Sequence, residues 1–182
     1  MRVSGGRMVQ GTEIPSHHPV RELFRTLTER GLQQSNLRDS EIHHYLSDLL
    51  VEFIHTKNLY KLRDESGSRL EHIVDMLEKL EVSSPIDRGE IYKHVGDFTL
   101  FILGLFPESL SRSRRCLSLN YYVDQGRRSY MILSELDEFR SRVVIFRKLS
   151  EQFESCVYSL NWVRQYINDP FYQYLLREFD VT

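Results

Sequence analysis

The sequence predicts an all-α multi-helix bundle of about six to seven helices in a single domain, and three observations carry that reading. Apolar residues recur at i, i+3, i+4 and i+7 through most of the chain. Capping and stop residues punctuate the periodic stretches. No segment alternates apolar and polar residues between hairpin turns, which removes the all-β and α/β classes. With 182 residues and 41% hydrophobic content, the chain has enough material for one sizeable core.

Met1 to His18 is polar, contains glycine and lacks periodicity, so it reads as a mobile tail that leaves residues 19–182 as the bundle domain. Pro19 suits the first position of the first helix, where a missing N–H costs nothing. Its buried stripe is Val20, Leu23, Phe24 and Leu27, and Gly31 is the expected stop. Asp39 or Ser40 caps a long second helix striped by Ile42, Tyr45, Leu46, Leu49, Phe53 and Tyr60. Ser68 and Glu71 match a capping box and predict a third helix carrying Leu70, Ile73, Val74, Leu77 and Leu80.

Ser84-Pro85 opens the fourth helix, which is apolar on every side from Phe98 and must stop near Phe106 because Pro107 disfavours helix before it. It is the expected central helix, with Gly96 and Gly104 leaving a shallow groove for close packing. Glu108 to Arg115 is a polar, basic linker. Leu119, Tyr122, Val123, Gly126, Tyr130 and Leu133 line the fifth helix. The sixth and longest is expected from Phe139 to Ile167, with Ile145, Leu149, Phe153, Cys156, Leu160 and Val163 in register. Asn168-Asp169-Pro170 then starts a last short helix carrying Phe171, Leu175 and Phe179.

Composition removes several function classes. Lys and Arg number 24 against 26 Asp and Glu, a net charge of -2 that gives no overall field for nucleic acid or an anionic membrane. The two cysteines, Cys116 and Cys156, have neither disulfide-framework nor zinc-ligand spacing, which fits a reducing, cytoplasmic setting. The N-terminus lacks a secretory apolar core, and the run from Phe98 to Phe106 is too short to span a membrane. No phosphate-binding glycine loop and no nucleophile–base spacing occurs, so no catalytic residue is assigned.

Four constellations remain. His94 and Asp97 lie one turn apart on the flank of the central helix that also carries Phe101, which marks these three as a candidate ligand site. At that spacing Asp97 would fix the tautomer of His94 beside a metal or a reacting group, or the two would simply satisfy each other in the core. The second helix carries Glu41, His44, Asp48, Glu52 and His55 along one face, including two Glu-x-x-His units. That motif supplies ligands in di-iron bundles, so Glu52, His55, His94 and Asp97 form a candidate metal set, with a metal ion as the cofactor. Both units share one helix opposite its apolar stripe, a pattern that a solvated charged face also produces. Glu151 and Glu154 would complete such a site only if they faced inward.

Tyr158, Trp162 and Tyr166 form an aromatic stripe on the sixth helix, opposite the aliphatic one. They mark a partner interface or a seat for the C-terminal helix with Phe171 and Tyr174. Arg114, Arg115, Arg127 and Arg128 would make an anion patch if the linker and helix ends converged, with Glu135, Asp137 and Glu138 weakening the field.

The segments HHYLSDLLVEFIH, KHVGDFTLFILGLFPE, YYVDQGRRSY and LSEQFESCVYSLNWVR resemble a family of uncharacterised bacterial all-helical proteins. The likeness spans much of the chain from the second helix onward. It implies a bacterial, cytoplasmic origin and a helical fold, and it carries no activity or site residue. The functional expectation is an intracellular bundle acting through protein–protein contacts, with a partner or with itself, and without catalysis. The alternative is a metal- or small-ligand-binding bundle using His94 and Asp97 with Glu52 and His55.

Overall fold

A computed structural model describes residues 14, 17–111 and 117–166. Among these residues there are nine α-helices and no strand: α1 Pro19–Gln34, α2 Ser40–Phe53, α3 Thr56–Leu59, α4 Ile73–Val82, α5 Pro85–Leu105, α6 Pro107–Ser111, α7 Leu119–Leu133, α8 Val143–Glu151 and α9 Phe153–Tyr166, with a 3-10 turn at Asp137–Arg142 before α8. The class is all-α, with more and shorter helices than periodicity predicted. None of the described helices is long and apolar enough to cross a membrane.

The expected central helix is central. Ser84 caps α5 by accepting from the Asp87 N–H, and every residue from His94 to Leu105 is buried. One continuous apolar core surrounds it, with α7 as its most extensive neighbour, then α9 and α4. Close packing accounts for Gly96 and Gly104, although side chains rather than a backbone fill the groove. A Cβ at Gly96 would lie 2.8 Å from the Tyr130 ring, and one at Gly104 would run into Leu160.

Several boundaries differ from the sequence reading, each for a local reason. Gly31 does not stop α1. The helix runs on to Gln34 and ends where Asn36 takes a left-handed conformation, φ 55°. Gly31 is instead where α1 touches α9, since a Cβ there would lie 2.6 Å from the Ser159 carbonyl oxygen. The second helix ends at Phe53 rather than near Tyr60, and the Asn58 side chain donates to the Glu52 carbonyl at 2.7 Å, capping the exposed end.

Ser68 opens no helix. Asp64 Oδ1 accepts from the Ser66 and Ser68 N–H groups, both at 2.9 Å, and Gly67 has φ 84°, so the serine is spent on a turn. Helix α4 starts five residues later, after His72, and Leu70 enters the core from outside any helix. The long sixth helix is also divided. Phe139 leaves helical geometry, and Gln152, at φ -103° and ψ 19°, bends the chain between α8 and α9. The bend lets one apolar stripe serve two sets of neighbours, α7 and α2 for α8, α1 and α5 for α9.

Ile14, in the stretch read as a tail, is 7% exposed, and its carbonyl accepts from the Arg21 guanidinium at 2.9 and 3.1 Å. The core therefore takes in a residue from before Pro19. The expected C-terminal helix, and with it Phe171 and Tyr174, lies outside the described residues, as do Cys116, Arg114 and Arg115.

Candidate functional site

The polar centre of the protein is Asp97, 1% exposed on α5. Three donors from three helices converge on it. Tyr45 of α2 and Tyr130 of α7 donate their hydroxyls to Oδ1 at 2.6 and 2.7 Å, and Lys93, one turn back on α5, donates to Oδ2 at 2.6 Å. A buried carboxylate is tolerated only when charge and lone pairs are both answered, and here one ammonium and two phenols do so. Burial, and then the negative charge of Asp97, hold both phenols well above their ordinary pKa. Burial opposes the charge on Lys93, but Asp97 and then Glu52 outweigh it and raise the ammonium above its usual value.

Aromatic packing fixes the geometry of this cluster. The Tyr45 and Tyr130 rings meet edge to face at 6.1 Å, and Tyr130 stacks on Phe146 of α8 at 6.0 Å. Arg142, at the end of the 3-10 turn, lies over Phe146 at 4.9 Å and over Tyr45 at 5.6 Å. Tyr45, Leu49, Lys93, Asp97 and Arg142, with Asp48 and Glu52 at the rim, enclose a cleft of about 80 Å³.

His94 is equally buried and differently placed. Its ring sits between Phe53 at 6.0 Å and Phe98 at 6.1 Å, and neither ring nitrogen makes a hydrogen bond. The Leu59 backbone lies near enough to favour protonation slightly, without bonding geometry. Burial, helped by the positive charge of Lys61, pushes its pKa down to about 3, so the ring is neutral. Asp97 does not set its tautomer, contrary to the i, i+3 expectation, because both carboxylate oxygens turn to Lys93 and the tyrosines.

The candidate residues therefore separate. Phe101 packs on Phe53 at 5.2 Å, which links it to His94, but the cleft beside Asp97 is lined by neither His94 nor Phe101. Among the described residues no three His, Cys, Asp or Glu side chains converge as a metal group, so Glu52, His55, His94 and Asp97 do not assemble into the expected set. Asp97 is already neutralised by Lys93, and Glu52 faces Lys61 at 4.0 Å. The rest of that helix face is a paired, exposed surface: Asp48 faces Arg21 at 3.6 Å, and Glu41 meets Lys148, which also holds Asp39 at 2.7 Å.

Tyr158, Trp162 and Tyr166 do share one face of α9. Tyr158 is 57% and Tyr166 56% exposed, and Trp162 stacks on Tyr166 at 4.0 Å. Arg127 and Arg128 are exposed on α7, with Arg127 drawn to Glu154 at 3.6 Å. Glu151 and Glu154 point outward and complete no internal site.

Sequence reasoning missed Tyr45, Tyr130 and Lys93. The signal was present: two tyrosines in buried stripes each need a partner for the hydroxyl, and a lysine sits four residues before a buried aspartate. Compared with family models, with curated proteins and with solved structures, the chain matches none.

Proposed function

We propose that this protein is a non-catalytic helical bundle that acts through protein–protein contacts, self-association first among them, with Tyr158, Trp162 and Tyr166 as the contact face. The observation that carries this reading is the two-sidedness of α9. Cys156, Leu160 and Val163 on one side are 0% exposed, whereas two large aromatic side chains stand more than half exposed on the other. Exposed tyrosine beside a stacked tryptophan is the composition of interface anchors, because these rings bury large areas at little entropic cost.

Burial holds the two phenols of the polar centre above their ordinary pKa and raises the Cys156 thiol to about 12, so this reading gives none of them the role of proton donor or nucleophile. A free, buried thiol also fits a cytoplasmic setting.

The test is the association state of the full chain by sedimentation velocity across a concentration series, with Trp162→Ala and Tyr158→Ala beside the wild type. Self-association weakened about 30-fold or more in Trp162→Ala is the expected outcome for a hot-spot tryptophan, and Tyr158→Ala, at a side chain 57% exposed, should weaken it without moving the melting temperature. A wild type that stays monomeric up to its solubility limit, or variants that associate as it does, would sink this reading.

A further inference from the structure

The cleft beside Asp97 has unequal numbers of donors and acceptors. Asp97 already accepts three hydrogen bonds, Oδ1 from two phenolic hydroxyls and Oδ2 from the ammonium. The two carboxylates at the rim each have a cation, Asp48 with Arg21 and Glu52 with Lys61. The donors are in surplus. Lys93 places one of its three N–H groups on Asp97, and its side chain is 14% exposed. Arg142 rests on the rings of Tyr45 and Phe146 and makes no hydrogen bond or ion pair among the described residues, which leaves its whole fork unused.

We propose that this cleft binds a short-chain carboxylate, held by the Arg142 guanidinium and the spare N–H groups of Lys93. Four features select that chemistry. A planar fork matches the two oxygens of a carboxylate. The cleft, of about 80 Å³, has room for a few water-sized groups, which suits an acetate-sized anion. Leu49 and the Tyr45 ring provide an apolar wall for the hydrocarbon end. Asp48 and Glu52 are paired only loosely, at 3.6 and 4.0 Å, so their remaining charge at the rim weighs more against a dianion such as phosphate than against a monoanion. The guanidinium is already held against the Phe146 and Tyr45 rings, at 4.9 and 5.6 Å, so less side-chain entropy is lost when it closes on a ligand than for a free arginine.

This site is independent of the α9 contact face and shares no residue with it. It also differs from the ligand site the sequence suggested, since His94 and Phe101 have no part in it.

The experiment is a titration of the full-length protein with sodium acetate at constant ionic strength and pH 7.5, followed by the Arg142 side-chain Nε–H resonance and a Tyr45 ring resonance. Sodium chloride and sodium phosphate serve as controls. Saturable shifts with acetate are expected, with binding about tenfold weaker in Arg142→Gln, the loss of one charge-assisted pair. Arg142→Lys keeps the charge without the fork and is expected to fall between. Among the described residues Arg142 makes only its cation–π contacts with Phe146 and Tyr45, so Arg142→Lys, which keeps a cation over the rings, should melt close to the wild type and separates lost binding from lost structure. Shifts that stay linear and match chloride, equal saturation by phosphate, or undiminished binding in Arg142→Gln would each overturn the proposal.

Discussion

His94 and Asp97 stand one turn apart on the same helix, are buried to the same degree, and have been treated by the fold in opposite ways. Asp97 gathers Lys93, Tyr45 and Tyr130 around its carboxylate oxygens. His94 gathers none, and it is accommodated by giving up its charge between two phenylalanine rings. A buried carboxylate needs donors for both of its oxygens, whereas a neutral imidazole can be packed between rings as a flat, weakly polar group. Burial of a polar residue in a central helix is thus no guide to whether it organises its surroundings. The donors it collects are.

That contrast can be broken or sharpened in three steps. Asp97→Ala should have the largest effect, about 3–5 kcal/mol in a denaturant titration, because it leaves a buried ammonium and two phenols without their acceptor. A loss below about 1 kcal/mol would mean the cluster is incidental to the fold. Tyr130→Phe removes one of the two hydroxyls from Oδ1 while leaving the ring in its stack, and should cost about 1.5–3 kcal/mol, the range for a hydrogen bond to a charged group. A cost indistinguishable from zero would show that Tyr45 alone satisfies that oxygen.

The smallest effect belongs to His94, and it appears only with pH. The unfolded chain protonates this ring near 6.5 and the folded protein only near 3. Between those values the unfolded state binds the extra proton. Its contribution to stability is therefore intact above about pH 6.5 and declines by about 1.4 kcal/mol per pH unit as acid is added. His94→Leu should remove that slope between pH 6.5 and 5 while changing stability at pH 7.5 by less than about 1 kcal/mol, since no hydrogen bond is lost. Parallel pH profiles for the two proteins would show that the imidazole is not held neutral.

Much of the fold was legible, and for identifiable reasons. The stripe of α1, the cap and all-round burial of α5, and the packing role of Gly96 follow from periodicity, a serine before a proline, and the rarity of glycine inside a helix. Boundaries were misread where a side chain had two possible uses. Ser68 satisfies a capping-box pattern and a turn pattern equally well, and Asp64 decided between them. Gly31 reads as a stop signal, but its purpose is set by Ser159, far along the chain. The candidate site was half legible. Burial of His94 and Asp97 came from the helix alone, but the partners of Asp97 come from α2 and α7, and helical spacing says nothing about which neighbour a carboxylate will face.

The contact of Gly31 with Ser159 sets an order of events during synthesis. The groove on α1 closes only against α9, and the Ser35 and Ser159 hydroxyls lie 3.0 Å apart across the same junction. A chain emerging from the ribosome at about 5–20 residues per second would wait several seconds between releasing α1 and releasing the helix that covers it. Through that interval Phe24, Leu27 and Leu32 lack the α9 surface and have the neighbouring α2 for shelter. Helix α1 is released well before the α9 surface that covers it, so products of this chain truncated before α9 should be aggregation-prone.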